Sequence, residues 1–427
     1  MTKQIKELKE GRVRFQGVVE VVRDKKNIQF IVLKDASGKI QVTVDKVQYP
    51  EVGEAFAHLL AGATVLVEGE LVKSEYVKLG GQEVLADKVV VTSVAEASPI
   101  DADTSIDQRI DYRWLDLRQD KNLLMFKVQT LAMDAMRRFL IERDFVEIHT
   151  PKLIGAASES GSEVFEVNYF ETKAYLAQSP QFYKQMAISG GLGRVFELAP
   201  CFRAEKSHTR KHATEFTSFD LEFSGIESYE DVMNLEAEMI THALKEVKAK
   251  YGEEIKAQFG IDVVVPTLPF PTIKLSDLYA ELEKRYGYTI PVEEQDDLST
   301  EAEKLCHKFA LEKYGHEFLF VTHFGARKRA FYHMRKNGIL QGYDLIWKGV
   351  EITSGAQREH RYAELKAVAE EKGLGKDVEF YLNFFKHGCP PHGGFAIGLD
   401  RFILNMLELP SIKEVQFLFR GPDRLTP

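Results

Sequence analysis

From residue 12 to about 95 the chain alternates apolar and polar positions in short runs. RVRFQGVVEVV, NIQFIVLKD, KIQVTVD, ATVLVEGELV and EVLADKVVVTSV are rich in β-branched residues, and DKKN, ASGK and LGGQ separate several of them. A period of two marks a strand with one buried face, and the separators are turn formers. Five such strands, with a helical pattern at VGEAFAHLLAG, predict a small closed barrel of the OB type. The acidic stretch ASPIDADTSIDQRID that follows has no periodicity and reads as a linker.

The pattern changes near residue 120. Leu124, Val128, Leu131, Ala135 and Phe139 recur at helical spacing, after which DFVEIHTP turns extended. Long helices and strands then follow without regular βαβ alternation, which predicts an α+β domain built on an antiparallel sheet flanked by helices. The expected organisation is a barrel over 1–100, a linker over 101–120 and a second domain over 121–427. Within the last, residues 225–330 form a helical, insertion-like region in which no chemistry is recognisable.

Composition narrows the class without naming a function. The 427 residues suffice for two or three domains with a large core. No run of about 18 apolar residues is present, so no membrane span is expected. The charged start MTKQIKELKEGR does not fit a secretory signal, and the three scattered cysteines fit a reducing cytoplasm. A net charge of -9 argues against indiscriminate coating of nucleic acid, but not against an enzyme that reads one RNA through local basic patches.

Four segments carry candidate chemistry. RVFELAPCFRAEKSHTRKHATEFTSFDLEF, residues 194–223, reads as two strands around a basic loop. Residues two apart share a strand face, which groups Arg203 with Glu205, and Phe216 with Ser218, Asp220 and Glu222. Arg203 could clamp a phosphate and Phe216 could stack a base; the same spacing also fits a solvated hairpin. In QGYDLIWKGVEITSGAQREH, residues 341–360, Lys348-Gly349 reads as a two-residue hairpin turn. That turn pairs Ile346 with Glu351 and sets Asp344 diagonal to Glu351 on one face, near Ser354. The resulting oxygen-rich site suits magnesium on substrate phosphates, although an exposed acidic strand pair fits equally.

HGGFAIGLDRFILNMLELP, residues 392–410, runs from a glycine-rich strand into a helix with Arg401 in its first turn, where anions are favoured. YLAQSPQFYKQMAISGGLGR starts a helix at Ser179-Pro180, with Gln181 and Lys184 on one face. Lys184 near Arg358 would form a two-cation pocket for a carboxylate side chain; a surface lysine is the plainer alternative. His387, Cys389 and His392 lack a fourth zinc ligand, and GGLG at 190–193 lacks dinucleotide-site spacing.

Taken jointly and in order, these segments resemble the signature motifs of the class II aminoacyl-tRNA synthetases. FVEIHTP with Pro151 resembles motif 1, FRAE through TEFTSFDLE motif 2, and GFAIGLDRF motif 3. The OB-like barrel resembles that of the subclass charging aspartate, asparagine and lysine. LAQSPQFYKQ and ITSGAQREH resemble aspartate enzymes of the archaeal and eukaryotic type; asparagine enzymes carry an acidic residue where Lys184 stands.

The resemblance implies a homodimeric aspartate–tRNA ligase using ATP and Mg2+ to activate L-aspartate and transfer it to tRNA-Asp. It implies that Arg203 and Arg401 are catalytic, and that Glu159, Gln181, Lys184, Arg203, Asp220, Ser354 and Arg358 hold aspartate. Arg203, Glu205, Lys211, His212, Phe216, Glu351, Gly398 and Arg401 would bind ATP, and Asp344, Glu351 and Ser354 the metal. Phe30, Gln41 and Glu83 would contact the anticodon. The chain departs from the family pattern at Lys211, where arginine is common, and in the barrel at Glu20 and Glu75-Tyr76. The barrel departures leave tRNA-Asn open as a second substrate.

Overall fold

In the barrel, Val13, Phe15 and Val19, then Ile40, Val42 and Val44, then Val65, Val67 and Leu71 point inward at every second position, and all are buried. A computed structural model describes residues 2–155, 164–325 and 329–427. Its strands β1 (Gly11–Asp24), β2 (Ile28–Asp35), β3 (Gly38–Asp45), β4 (Thr64–Lys73) and β5 (Gln82–Ser93) close in the order β1-β2-β3-β5-β4. Closure removes the free edges that an open sheet would expose. Helix α1 (Pro50–Ala57) occupies the helical pattern read between β3 and β4.

The stretch expected as a featureless linker contains two short helices, Ile106–Asp111 and Arg113–Asp116. Ser105 starts the first by accepting from the Gln108 amide, a capping signal that the acidic composition masks. The chain divides into compact units after Asp116.

The second unit begins with α2 (Asp120–Ile141), whose Leu124, Val128, Ala135 and Phe139 are buried as the spacing requires. The described residues then build a sheet from β6 (Val146–Glu147), β7 (Arg194–Phe202), β8 (Glu215–Ser224), β9 (Thr272–Lys274), β10 (Phe318–Thr322), β11 (Gly342–Trp347), β12 (Val350–Gln357) and β13 (His392–Gly398). The order is β9-β10-β11-β12-β13-β8-β7-β6, antiparallel except for the outermost pair at each end. Helix α3 (Gln181–Ser189) precedes β7, and α4 (Tyr229–Phe259) follows β8. Helix α4 packs on α2 and against β12 and β13. Helix α5 (Thr300–Tyr314) covers β10 and β11, and α6 (Leu399–Met406) follows β13 directly.

Pro200 lies within β7 opposite Thr217, beyond the residues that β6 pairs with. Its missing N–H therefore leaves no gap in an interior ladder.

Candidate active site

The turn at Lys348-Gly349 forms as expected: both residues have positive φ, 48° and 76°, and Ile346 pairs with Glu351. Glycine is favoured at the second position because no Cβ opposes that conformation. A bulge then intervenes between Leu345 and Ile346 against β12, so that Asp344 pairs with Ser354. Glu351 and Ser354 are three apart and would face opposite ways on a regular strand. The extra residue brings both to one face.

That face carries a row of paired residues across four strands: Asp344 on β11, Ser354 on β12, Ala396 on β13 and Asp220 on β8. Ala396 keeps the floor low between the two carboxylates. In the adjacent row, a Cβ on Gly394 would stand 2.6 Å from Glu222 Oε2 and 2.1 Å from the Leu221 carbonyl oxygen. The glycine-rich strand, a weak signal in the sequence, is what lets Glu222 sit there.

One open cavity lies over this floor. Arg203, Glu205, Lys211, His212, Phe216, Glu351, Gly398 and Arg401, the eight residues expected around a nucleotide, all line it, with Ser218 and Ser354. The Arg203 guanidinium lies 5.3 Å from the centre of the Phe216 ring. Arg401, in the first turn of α6, donates to the carbonyls of Lys211 and Glu351 at 3.3 and 3.2 Å. Burial, then the charges of Arg401, Lys211 and Arg203, lower the His212 pKa to about 4, so the imidazole is neutral at pH 7. The basic loop is thus a cationic wall with one neutral ring in it.

Behind the cavity lies a second cluster. Gln181, Lys184, Asp220, Glu222 and Arg358 are all buried. The Lys184 ammonium is 3.0 Å from Asp220 and 3.4 Å from Glu222, and donates to the Leu221 carbonyl at 3.3 Å. Arg358 donates to Glu222 through Nε at 2.8 Å and to the Gly394 carbonyl at 3.0 Å. Gln181 donates to Glu222 at 3.0 Å. Burial pushes the Glu222 pKa upward, but Arg358 and Lys184 together carry it down to about 2.

The two cations therefore meet, as expected, but not as a bare pair. Glu222 stands between them and Asp220 takes the other side of Lys184, so two cations face two carboxylates. Uncompensated charges at this depth would be too costly. Strand alternation sets Glu222 on this face but carries no sign of its partners. One atom of the cluster has no partner: Asp220 Oδ2 is buried without a hydrogen bond. Glu159 lies outside the described residues.

The metal candidates separate. Glu351 and Ser354 line the cavity, whereas Asp344 is buried with both carboxylate oxygens held by Arg329, at 2.8 and 2.6 Å. Burial, then the Asp344 charge, pushes the Glu351 carboxyl up to about 7. Arg401, 4.0 Å away, and Arg329 oppose that shift only in part, so a magnesium ion beside Glu351 would fit the site. No cluster of three or more His, Cys, Asp or Glu side chains able to hold a metal ion occurs among the described residues, so the ion would need phosphate oxygens to complete its shell.

The helical region read as carrying no chemistry supplies two further residues to this site. Asp297 accepts from Arg329 at 3.1 Å. Glu303, on α5, accepts from the Lys211 ammonium at 2.8 and 2.7 Å and from the Glu351 amide at 3.2 Å. An acidic residue in a loop, like Asp297, or on an amphipathic helix, like Glu303, looks solvated, and nothing in its spacing reveals partners far along the chain.

On the barrel, Phe30 pairs with Thr43 and Gln41 with Glu83, on adjacent strands. Gln41 donates to Glu83 at 3.1 Å, and Thr43 also donates to it. The three anticodon candidates are half-buried on neighbouring strands. Glu20 is held by Lys39 at 2.7 Å, whereas Tyr76 is 97% exposed.

Comparison with known proteins accounts for both halves. Residues 105–420 match the family of class II tRNA synthetases (D, K and N), and residues 13–92 match the OB-fold nucleic acid binding domain. The chain is 40% identical to the aspartate–tRNA(Asp/Asn) ligase of Aeropyrum pernix, over 98% of this chain and 96% of that one. It is 39% identical to the aspartate–tRNA(Asp) ligase of Thermococcus kodakarensis, over 99% and 97%. Among solved structures, asparaginyl-tRNA synthetase of Pyrococcus horikoshii with asparaginyl-adenylate superposes with a TM-score of 0.93 at 30% identity, covering 100% of both chains. Aspartyl tRNA synthetase of Entamoeba histolytica gives 0.88 at 29%, covering 100% of this chain and 93% of that one. With its catalytic sheet, its barrel and nearly its whole length matched, the chain belongs to the class II aminoacyl-tRNA synthetases of the aspartate, lysine and asparagine group.

Proposed function

We propose that this synthetase is an aspartate–tRNA ligase, activating L-aspartate with ATP and transferring it to tRNA-Asp, with tRNA-Asn left open as a second acceptor. One observation carries the choice of amino acid: a buried lysine and arginine flank Glu222, beside an unpaired oxygen of Asp220. The β-carboxylate of aspartate would take donors from Lys184 and Arg358, and its α-ammonium would satisfy Asp220 Oδ2, with Gln181 and Ser354 completing the pocket. Asparagine would present a neutral amide to the same cations. Lys184 and Arg358 keep Asp220 and Glu222 as partners with either ligand, so the preference rests on the charge-assisted bonds that a neutral amide cannot match; at about 1.5 kcal/mol or more for each of the two, the discrimination is over about 100-fold.

In the proposed reaction the α-carboxylate oxygen attacks the α-phosphorus of ATP in line, forming the acyl–phosphate bond as the bond to pyrophosphate breaks. Arg203 would hold the α-phosphate and the α-carboxylate, Phe216 would stack the adenine, and Arg401 would grip the γ-phosphate. Magnesium, held by Glu351 and Ser354, would neutralise charge on the leaving pyrophosphate. The terminal ribose hydroxyl of tRNA then takes the acyl group and AMP leaves. Catalysis is positioning and charge neutralisation, without a protein nucleophile.

Phe30, Gln41 and Glu83 are proposed to meet the anticodon, since stacking and hydrogen bonds to base edges are how single-stranded RNA is read. Homodimerisation is supported by the exposed apolar Val146 on the edge strand β6, with the exposed Ile141 and Leu153 on either side of it along the chain. A cytoplasmic location is proposed; no helix among the described residues is long and apolar enough to cross a membrane. Charging purified tRNA-Asp and tRNA-Asn separately with aspartate and with asparagine tests the reading. Aspartate on tRNA-Asp is expected. Asparagine on tRNA-Asn alone would overturn it.

A further inference from the structure

Two side chains of opposite charge tie together the same two residues. Arg401 bonds the backbone carbonyls of Lys211 and Glu351, both beyond 3 Å, and its nearest carboxylate oxygen, on Glu351, is 4.0 Å away. Glu303 bonds the Lys211 ammonium with both oxygens and the Glu351 amide with one. The first set is long, to neutral acceptors, and leaves a guanidinium free to prefer an anion. The second is charge-assisted, and the side chains of Lys211 and Glu303 are 15% and 8% exposed, so water screens it weakly.

Glu303 is fixed by its own helix. Ser299 caps α5 by accepting from the Ala302 amide, and Glu303 lies in the first turn, where the helix end favours a carboxylate. It does not line the cavity, so it has no direct part in holding a ligand there.

We infer that Glu303 is a positioning residue for the nucleotide: it anchors Lys211, and with it the loop that carries His212, to the strand bearing Glu351 once Arg401 turns from its two carbonyls to a triphosphate. The inference rests on the reading of the cavity as an ATP site. Without Glu303, binding ATP would release the only other link among the described residues between that loop and Glu351, and Lys211 would lose its fixed place at the wall.

The test is direct binding of magnesium–ATP to the full-length protein by titration calorimetry, with aspartate-dependent ATP–pyrophosphate exchange in parallel. Glu303→Gln is expected to weaken ATP about 10-fold, with kcat at saturating ATP and KM for aspartate each within about 3-fold of wild type. In a Lys211→Met background, adding Glu303→Gln is expected to change ATP affinity less than about 2-fold, because the tie is already gone. Should Glu303→Gln not fold, Glu303→Asp keeps the charge and is expected to weaken ATP by about 3-fold. Unchanged or tighter ATP binding in the Glu303 variants, or a loss that persists undiminished beside Lys211→Met, overturns the inference. If wild type binds ATP without aspartate-dependent exchange, the aspartate reading fails while the binding cycle still decides on Glu303. If wild type does not bind ATP, both fall.

Discussion

Arg329 grips Asp344 by both carboxylate oxygens and reaches Asp297 with the same guanidinium, so a cation occupies the inner end of the proposed magnesium set. Ser354 Oγ is 3.3 Å from the same arginine. Arg329→Gln would leave Asp344 buried without its counter-charge. The variant is expected to lose roughly 3–5 kcal/mol of stability in metal-free buffer. Millimolar magnesium should restore part of that loss while shifting wild type less. Melting curves with and without magnesium measure it, and equal shifts in the two proteins would remove Asp344 from the metal's surroundings.

On the opposite face of the sheet, Glu236 of α4 is fully buried and accepts from the Tyr343 hydroxyl at 2.7 Å. Burial drives its pKa up to about 8, and the Asp344 charge adds to the shift against the opposing bond from Tyr343. The folded protein therefore keeps a proton that the unfolded chain, titrating at about 4.5, has released. Stability from this group is greatest below the unfolded value and is lost as pH rises toward 8. Glu236→Gln keeps the shape and removes the titration. Relative to wild type it should gain on the order of 3 kcal/mol between about pH 5 and about pH 8. Urea unfolding at both pH values checks this, and a pH-independent difference contradicts it.

Arg203 stands at the mouth of the cavity against Phe216, where it could touch both the α-phosphate and the amino acid. Its side chain is 41% exposed and its one carboxylate partner among the described residues, Glu205, is 3.7 Å away, so truncation should cost little stability. Arg203→Ala is expected to lower kcat for pyrophosphate exchange by about 100-fold or more, with the melting temperature nearly unchanged. Near-normal exchange in the folded variant would take Arg203 out of the mechanism.

How much of this was legible follows from how far each signal reaches along the chain. The turn at Lys348-Gly349 and the shared face of Gln181 and Lys184 are local, and spacing alone sets them. The bulge that turns Glu351 and Ser354 to one side has no such signature, because it depends on how β11 and β12 slide past one another. Glu222 was visible as one of a row of inward residues. That it holds Arg358 is a contact across 136 positions, which periodicity cannot carry. Asp297 and Glu303 lay hidden for the same reason, inside a helical region whose charges look solvated. The barrel was the most readable part, since alternation and turns nearly suffice to build it.

The account turns on whether the buried lysine and arginine choose a carboxylate. Amino-acid-dependent ATP–pyrophosphate exchange with wild type and Lys184→Glu, run with aspartate and with asparagine, asks this directly. Wild type should prefer aspartate by over about 100-fold in kcat/KM, and Lys184→Glu, with Lys184→Met beside it as the uncharged variant and folding checked by melting for both, should lose aspartate. Equal use of asparagine by wild type, or undiminished use of aspartate by either variant, would contradict the assignment.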